Sequence, residues 1–157
     1  MNDPIFTSAL DLETRPTERR RVIVVISDGQ VADDWTPFHK GSTIHSLKET
    51  RDRLVQRQIQ MYGVAVGNAL LDGPTSILHL YADATGGDVY RAPTENAMET
   101  AFSRITEQAR HQYVLGYVSN NEVPGMLAVT RKIEVKVNRP GLKVNHRKSY
   151  LQYPPPK

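Results

Sequence analysis

Ser27-Asp28-Gly29 and Asp33-Asp34 place three carboxylates and a hydroxyl directly after the apolar run Val22 to Ile26. Hard divalent cations such as Mg²⁺ take near-octahedral oxygen ligands and keep several waters where a protein offers one or two carboxylates. Asp28, with Ser27, Asp33 and Asp34 as helpers, is therefore the candidate for a partial Mg²⁺ or Mn²⁺ site. The competing reading makes Asp28 a strand-end acceptor of loop amide hydrogen bonds, with Asp33 and Asp34 in water. Trp35 and Phe38 share the stretch. They either anchor a partner or fold back onto the helix that follows.

Chemistry beyond ligation is hard to assemble from the remaining residues. His39 and His45 flank the same stretch, while His79, His111 and His146 are scattered, and no His-x-x-x-His or His-Glu-x-x-His spacing links any of them. The chain has no cysteine, no Gly-x-Ser-x-Gly elbow and no glycine-rich phosphate loop with its lysine. A binding module is the expectation, with no catalytic residue assigned and a metal-dependent hydrolase as the enzymatic alternative.

These residues need elements to hold them. Arg21 to Ser27 is a β-branched run, expected as a strand buried on both faces of a parallel sheet. Its end places Asp28 on the carboxyl edge, and Gln30 to Gly41, broken by Pro37, reads as a loop where open α/β folds bind ligands. Ser42 or Thr43 is expected to cap a helix to about Gln58 with Ile44, Leu47, Leu54 and Val55 inward, followed by a second strand over Met61 to Gly67. Thr75 begins a shorter helix stopped by Gly86-Gly87, Asp88 to Tyr90 gives a brief third strand, and Thr94 caps a helix to about Arg110. The implied architecture is α/β in three layers.

After residue 111 the apolar period changes to two. Gln112 to Val118, Lys132 to Val137 and Leu142 to Tyr150 are expected as antiparallel strands, and Tyr113 and Tyr117 as core residues on one strand face. The divisions are a leading segment 1–18, an α/β core 19–111, an antiparallel extension 112–150 and a proline-rich tail 151–157.

Composition narrows the classes further. With 157 residues and 39% hydrophobic content, the chain supports one core rather than two. No apolar run reaches the roughly 18 residues of a membrane span. The first residues show no secretory leader, and the lack of cysteine fits either a reducing compartment or an extracytoplasmic protein without bridges. Arg131 to Lys148 carries seven Lys/Arg against the single acid Glu134. Such a cluster invites a nucleic-acid reading, but alternation of Lys132, Glu134 and Lys136 with apolar residues better suits the outer face of a half-buried strand.

Val22-Ile-Val-Val-Ile-Ser-Asp-Gly29, Tyr62-Gly-Val-Ala-Val-Gly67 and Leu78 to Gly87 resemble, in order and spacing, the second half of the von Willebrand factor type A fold. Gln112-Tyr-Val-Leu-Gly-Tyr-Val118 with Arg139-Pro-Gly-Leu-Lys-Val144 is similar to a bacterial branch of von Willebrand factor A-related proteins, known mainly from acidobacteria. The resemblance covers residues 19–150. It implies a Rossmann-like doubly wound sheet, an adhesion-type protein partner gripped through a divalent cation on the carboxyl edge, and a secreted or periplasmic parent. It also implies a degenerate metal site, because the Asp-x-Ser-x-Ser loop of the family has no counterpart here and its first strands have none either. Thr7 is the one residue to offer as the family's middle-loop threonine. A strand without its usual neighbour is expected to pair with a second copy or to be covered by Ile5, Phe6, Leu10 and Leu12.

Overall fold

A computed structural model describes residues 1–15, 20–29, 44–73, 76–123, 128–142 and 144–154. Its elements are α1 (Asn2–Glu13), β1 (Arg21–Ser27), α2 (Leu47–Gln56), β2 (Ile59–Ala65), α3 (Ile77–Thr85), β3 (Val89–Arg91), α4 (Glu95–Arg110), β4 (Val129–Lys132) and β5 (Ser149–Gln152). The fold is mixed α/β, with a three-stranded parallel sheet in the order β1-β2-β3 and a separate antiparallel pair, β4 and β5. All seven residues of β1 pair with β2, from Arg21 opposite Ile59 to Ser27 opposite Ala65.

Alternation along β2 divides the interior in two, because successive strand side chains point to opposite faces. Ile59, Met61 and Ala65 join Ile5 and Ala9 of α1, Leu54 of α2, and Leu78 and Tyr81 of α3 in one cluster. Tyr62 and Val64 meet Ala101 and Ile105 of α4 in the other. Among the described residues, three helices therefore cover one face and a single helix covers the opposite one. Gly63 and Gly87 permit the close packing: a Cβ at Gly63 would lie 3.2 Å from Val89, and one at Gly87 would collide with the Met61 carbonyl oxygen.

Local chemistry sets the boundaries. Ser46, rather than Ser42 or Thr43, caps α2, its Oγ accepting from the Glu49 amide at 3.1 Å; Ser42 and Thr43 lie outside the described residues. Ile44 is accordingly exposed ahead of the helix instead of inside its apolar stripe. Gly86, at φ 79°, takes the left-handed conformation that ends α3. Thr94 caps α4 through the Ala97 amide, as its sequence position implies.

Two expectations about strands fail. β1 is an edge strand, and because one helix cannot span all three strands, α4 reaches Val22 but leaves Val24 38% and Ile26 52% exposed. Gln112 to Val118 belongs to no strand, and Tyr113 and Tyr117, expected in a core, are 95% and 63% exposed. Its β-favouring side chains supply propensity, but a ladder also needs a neighbour. Among the described residues the antiparallel strands are shorter than their alternation suggests, β4 ending at Lys132 and β5 beginning at Ser149.

The first helix is fixed beside α2 along its length. Asp3 accepts from the Ile44 and His45 amides at 3.1 and 2.8 Å, and Glu13 pairs with Arg53 and Arg57 at 2.7 and 3.2 Å. The two helices thus run parallel, with Ile5 buried between helix and sheet and Phe6 buried against His45 and Arg53, rather than laid along the β1 edge. No helix among the described residues is long and apolar enough to cross a membrane.

Candidate functional site

The carboxyl edge of the parallel sheet is built by backbone bonds between the ends of β1 and β2. The Ser27 carbonyl accepts from the Val66 amide at 3.0 Å and the Asp28 carbonyl from the Ala69 amide at 2.7 Å. These bonds clamp Ser27-Asp28 onto the 3-10 turn Gly67–Leu71 that follows β2. Gly29 completes the clamp: its φ is 81°, and a Cβ there would stand 2.9 Å from the Ala69 Cα. Gly67, at φ 51°, sits below the aspartate, where a Cβ would come 3.4 Å from that of Asp28. A side chain larger than hydrogen at Gly29 is excluded by both conformation and space.

This arrangement leaves the Asp28 side chain exposed at the rim, while the Ser27 hydroxyl accepts from the Gly29 amide at 3.2 Å. The β-run of the sequence therefore does position its aspartate at the expected edge. Asp33, Asp34, Trp35 and Phe38 lie outside the described residues, as does His39. Among the described residues no group of three or more His, Asp or Glu side chains is close enough to hold a metal ion. Ser27 and Asp28 alone offer two oxygen-bearing side chains, which fits an ion that keeps most of its water rather than a closed protein cage.

The same edge gathers helix starts. α2 and α3 run from the carboxyl edge back along one face, α1 runs parallel to α2, and α4 follows directly from the end of β3. Backbone amides at such termini carry partial positive charge, which balances a carboxylate or a bound anion. Ser76 precedes α3, and its Oγ meets His79 Nδ1 at 2.9 Å in an i, i+3 contact of the kind made at helix starts. Leu71 and Ile44 are large aliphatic side chains left exposed, at the end of the 3-10 turn and just before α2. Sequence periodicity placed Ile44 inside and gave Leu71 no role; an aliphatic directly before Asp72-Gly73 was the available signal for the latter.

Other candidates are placed elsewhere. Thr7 is on the exposed side of α1, within a helix rather than in a loop. His45 stacks on Phe6 and contacts Glu49 at 3.2 Å, and the His146 ring nitrogen meets the Arg147 carbonyl at 2.7 Å, so both belong to packing contacts. Two shallow depressions, of about 440 Å³ along α4 by Phe102 and about 340 Å³ by Phe6 and Arg53, are lined by no residue of the Asp28 rim.

The basic C-terminal region is held at the opposite edge of the sheet. Arg147 donates to the Val55 carbonyl at 2.6 Å, at the end of α2, and burial lowers its ordinarily very high pKa. The backbone of His146 and Arg147 passes directly over Gly86, where a Cβ would be 2.7 Å from the Arg147 nitrogen. Arg131 bonds the Gln152 side chain and the Glu122 carbonyl, and Lys136 pairs with Glu134 at 3.1 Å. Three of the clustered cations are thus engaged within the chain, and Lys143 lies outside the described residues. Compared with known proteins, the chain matches no family model, no curated protein and no solved structure.

Proposed function

We propose that the chain is the C-terminal part of a von Willebrand factor A-like domain and acts as a protein-binding module through the rim around Asp28. The observation that carries this reading is the exposed Asp28 carboxylate, held at the end of β1 by the clamp from Ser27, Val66 and Ala69. A rigid backbone under an exposed acid lowers the ordering cost of gripping a ligand there. Leu71 and Ile44 add exposed apolar surface to the helix-start side of the molecule. Trp35, Phe38, Asp33 and Asp34 belong to the same proposed contact loop. Asp28 would be the main protein ligand of a hydrated Mg²⁺ or Mn²⁺, and the ion would present open positions to an acidic group on the partner. The parent protein, on this reading, works outside the cytoplasm.

Titration with Mn²⁺, followed by paramagnetic broadening of amide resonances, tests the site. Broadening should begin at Gly29, Gly67 and Ala69 and be lost in Asp28→Ala. A glutamate-rich peptide added to the Mn²⁺-loaded chain should then shift the same amides. Broadening centred elsewhere, or unchanged in the variant, refutes the cation-assisted reading; a Mn²⁺ site at Asp28 that ignores the peptide refutes the binding role.

A further inference from the structure

The molecule carries two unpaired β features that suit each other. One is β1, which has β2 as its only neighbour among the described residues and exposes Val24 and Ile26 on the α4 face, beyond the reach of that helix. The other is the span 113–118, in which Tyr113, Val114, Leu115, Tyr117 and Val118 are all 63% exposed or more. That span makes no backbone hydrogen bond among the described residues. Six consecutive unpaired amide groups with β-branched and aromatic side chains form a ready template for another strand.

The span is also held out rather than loose. At its start Arg20 donates to the Gln112 carbonyl at 2.8 Å, and the Gln112 side chain reaches the Tyr62 hydroxyl at 3.1 Å. At its end the Tyr117 ring meets Tyr150 of β5 edge to face, with centroids 5.8 Å apart. The second anchor ties the span to β5, and within one chain Val24 and Ile26 remain exposed. It contains no Lys, Arg, Asp or Glu, so pairing it desolvates no charge, and it offers nothing to neutralise a phosphate.

We infer that two copies of this chain dimerise by reciprocal strand addition, residues 113–118 of each pairing, in the other, with the edge of β1 that no described strand occupies. Such an exchange is closed, because the contact from span to β1 in one direction is matched by the same contact in the other. It gives β1 a second neighbour in both copies and sets the alternating side chains of the span beside Val24 and Ile26. Main-chain bonds supply the attraction and the alternating side chains the register. A partner protein adding its own strand would satisfy β1 but leave 113–118 exposed, and self-pairing of the two spans would leave β1 exposed.

The natural absence of cysteine permits a clean test. Light scattering should give twice the 17.7 kDa of one chain at micromolar concentration. Val24→Cys and Leu115→Cys or Gly116→Cys chains, each alone, should form no disulfide, whereas their mixture should cross-link on mild oxidation, since paired strands bring Cβ atoms within bonding reach. Leu115→Lys should be monomeric with unchanged circular dichroism, because that side chain lies in water within one copy. A monomeric native chain, no link in either mixture, or a link formed by a span variant alone would each overturn the proposal.

Discussion

The Phe6 ring lies flat against the His45 imidazole, with centroids 3.6 Å apart and planes 12° from parallel. The Arg53 guanidinium stands 4.7 Å from the same ring's centroid. One aromatic side chain of α1 therefore holds both the residue that leads into α2 and the last turn of that helix. Replacing Phe6 by Ala removes a buried ring together with these two stacking contacts. A loss of about 3 kcal/mol in unfolding free energy is expected, the magnitude of other buried Phe truncations, and urea denaturation measures it. A loss below about 1 kcal/mol would show that α1 is not part of the core.

Asp3 binds the same chain segment electrostatically. The His45 amide, its strongest influence, holds the Asp3 carboxyl below the ordinary value of 3.8. A depressed acid stabilises the fold fully above its unfolded value and loses that contribution as the pH falls through the folded one. Asp3→Asn should consequently be less stable than the native chain at neutral pH, with the difference closing in acid below 3.8. Thermal unfolding of both chains from pH 7 down to 2.5 reads this directly; a gap that persists unchanged at the acid end would assign the effect to shape rather than charge.

Gly87 tests the packing of α3 against β2. Any Cβ at this position meets the Met61 carbonyl oxygen, a backbone atom in the central strand that cannot rotate away. Gly87→Ala is expected to cost about 3 kcal/mol or to abolish soluble expression, as overpacking against a fixed backbone does. Gly73→Ala is the control, since a Cβ there meets nothing within 4 Å.

Tyr90 offers the opposite case, a polar atom the fold would be better without. Its hydroxyl is buried with no hydrogen bond of good geometry among the described residues, and burial, followed by the Asp88 charge, pushes its pKa up to about 12 against a smaller opposing pull from the Gln108 side chain. Tyr90→Phe should be neutral or up to about 1 kcal/mol more stable near pH 7, because it removes a poorly satisfied buried hydroxyl while keeping the ring. The native chain should also lose stability as the pH rises from 10 toward 12, since the unfolded tyrosine ionises first. Spectrophotometric titration at alkaline pH, native against variant, would expose a Tyr90 that ionises at the ordinary value.

Much of the core was readable in advance because its signals are local. A β-branched run ending in Ser-Asp-Gly made β1, paired glycines ended α3, and a threonine three residues before an amide donor began α4. The start of α2 was also local but misread: Ser46 and Glu49 have capping-box spacing, which outweighs the earlier Ser42 and Thr43. Partnership is what a single chain's pattern does not encode. Val22 to Ile26 has the composition of a strand covered twice, yet coverage depends on how far α4 extends across the sheet. Gln112 to Val118 likewise has strand composition, but no other described strand lies beside it. At the rim, the identity of Asp28 was evident from sequence, whereas the Ala69 amide that fixes its backbone comes from a turn with no distinctive motif.

The bond from Arg147 to Val55 joins positions 92 residues apart and seals the end of α2 with a segment made long after it. Closure of so long a loop is slow to find by diffusion, and it is unattainable until residue 147 has left the ribosomal exit tunnel. Maturation of this domain thus waits for residue 147, and a nascent chain stalled short of that position would emerge with its helix end unsealed and open to chaperones and proteases.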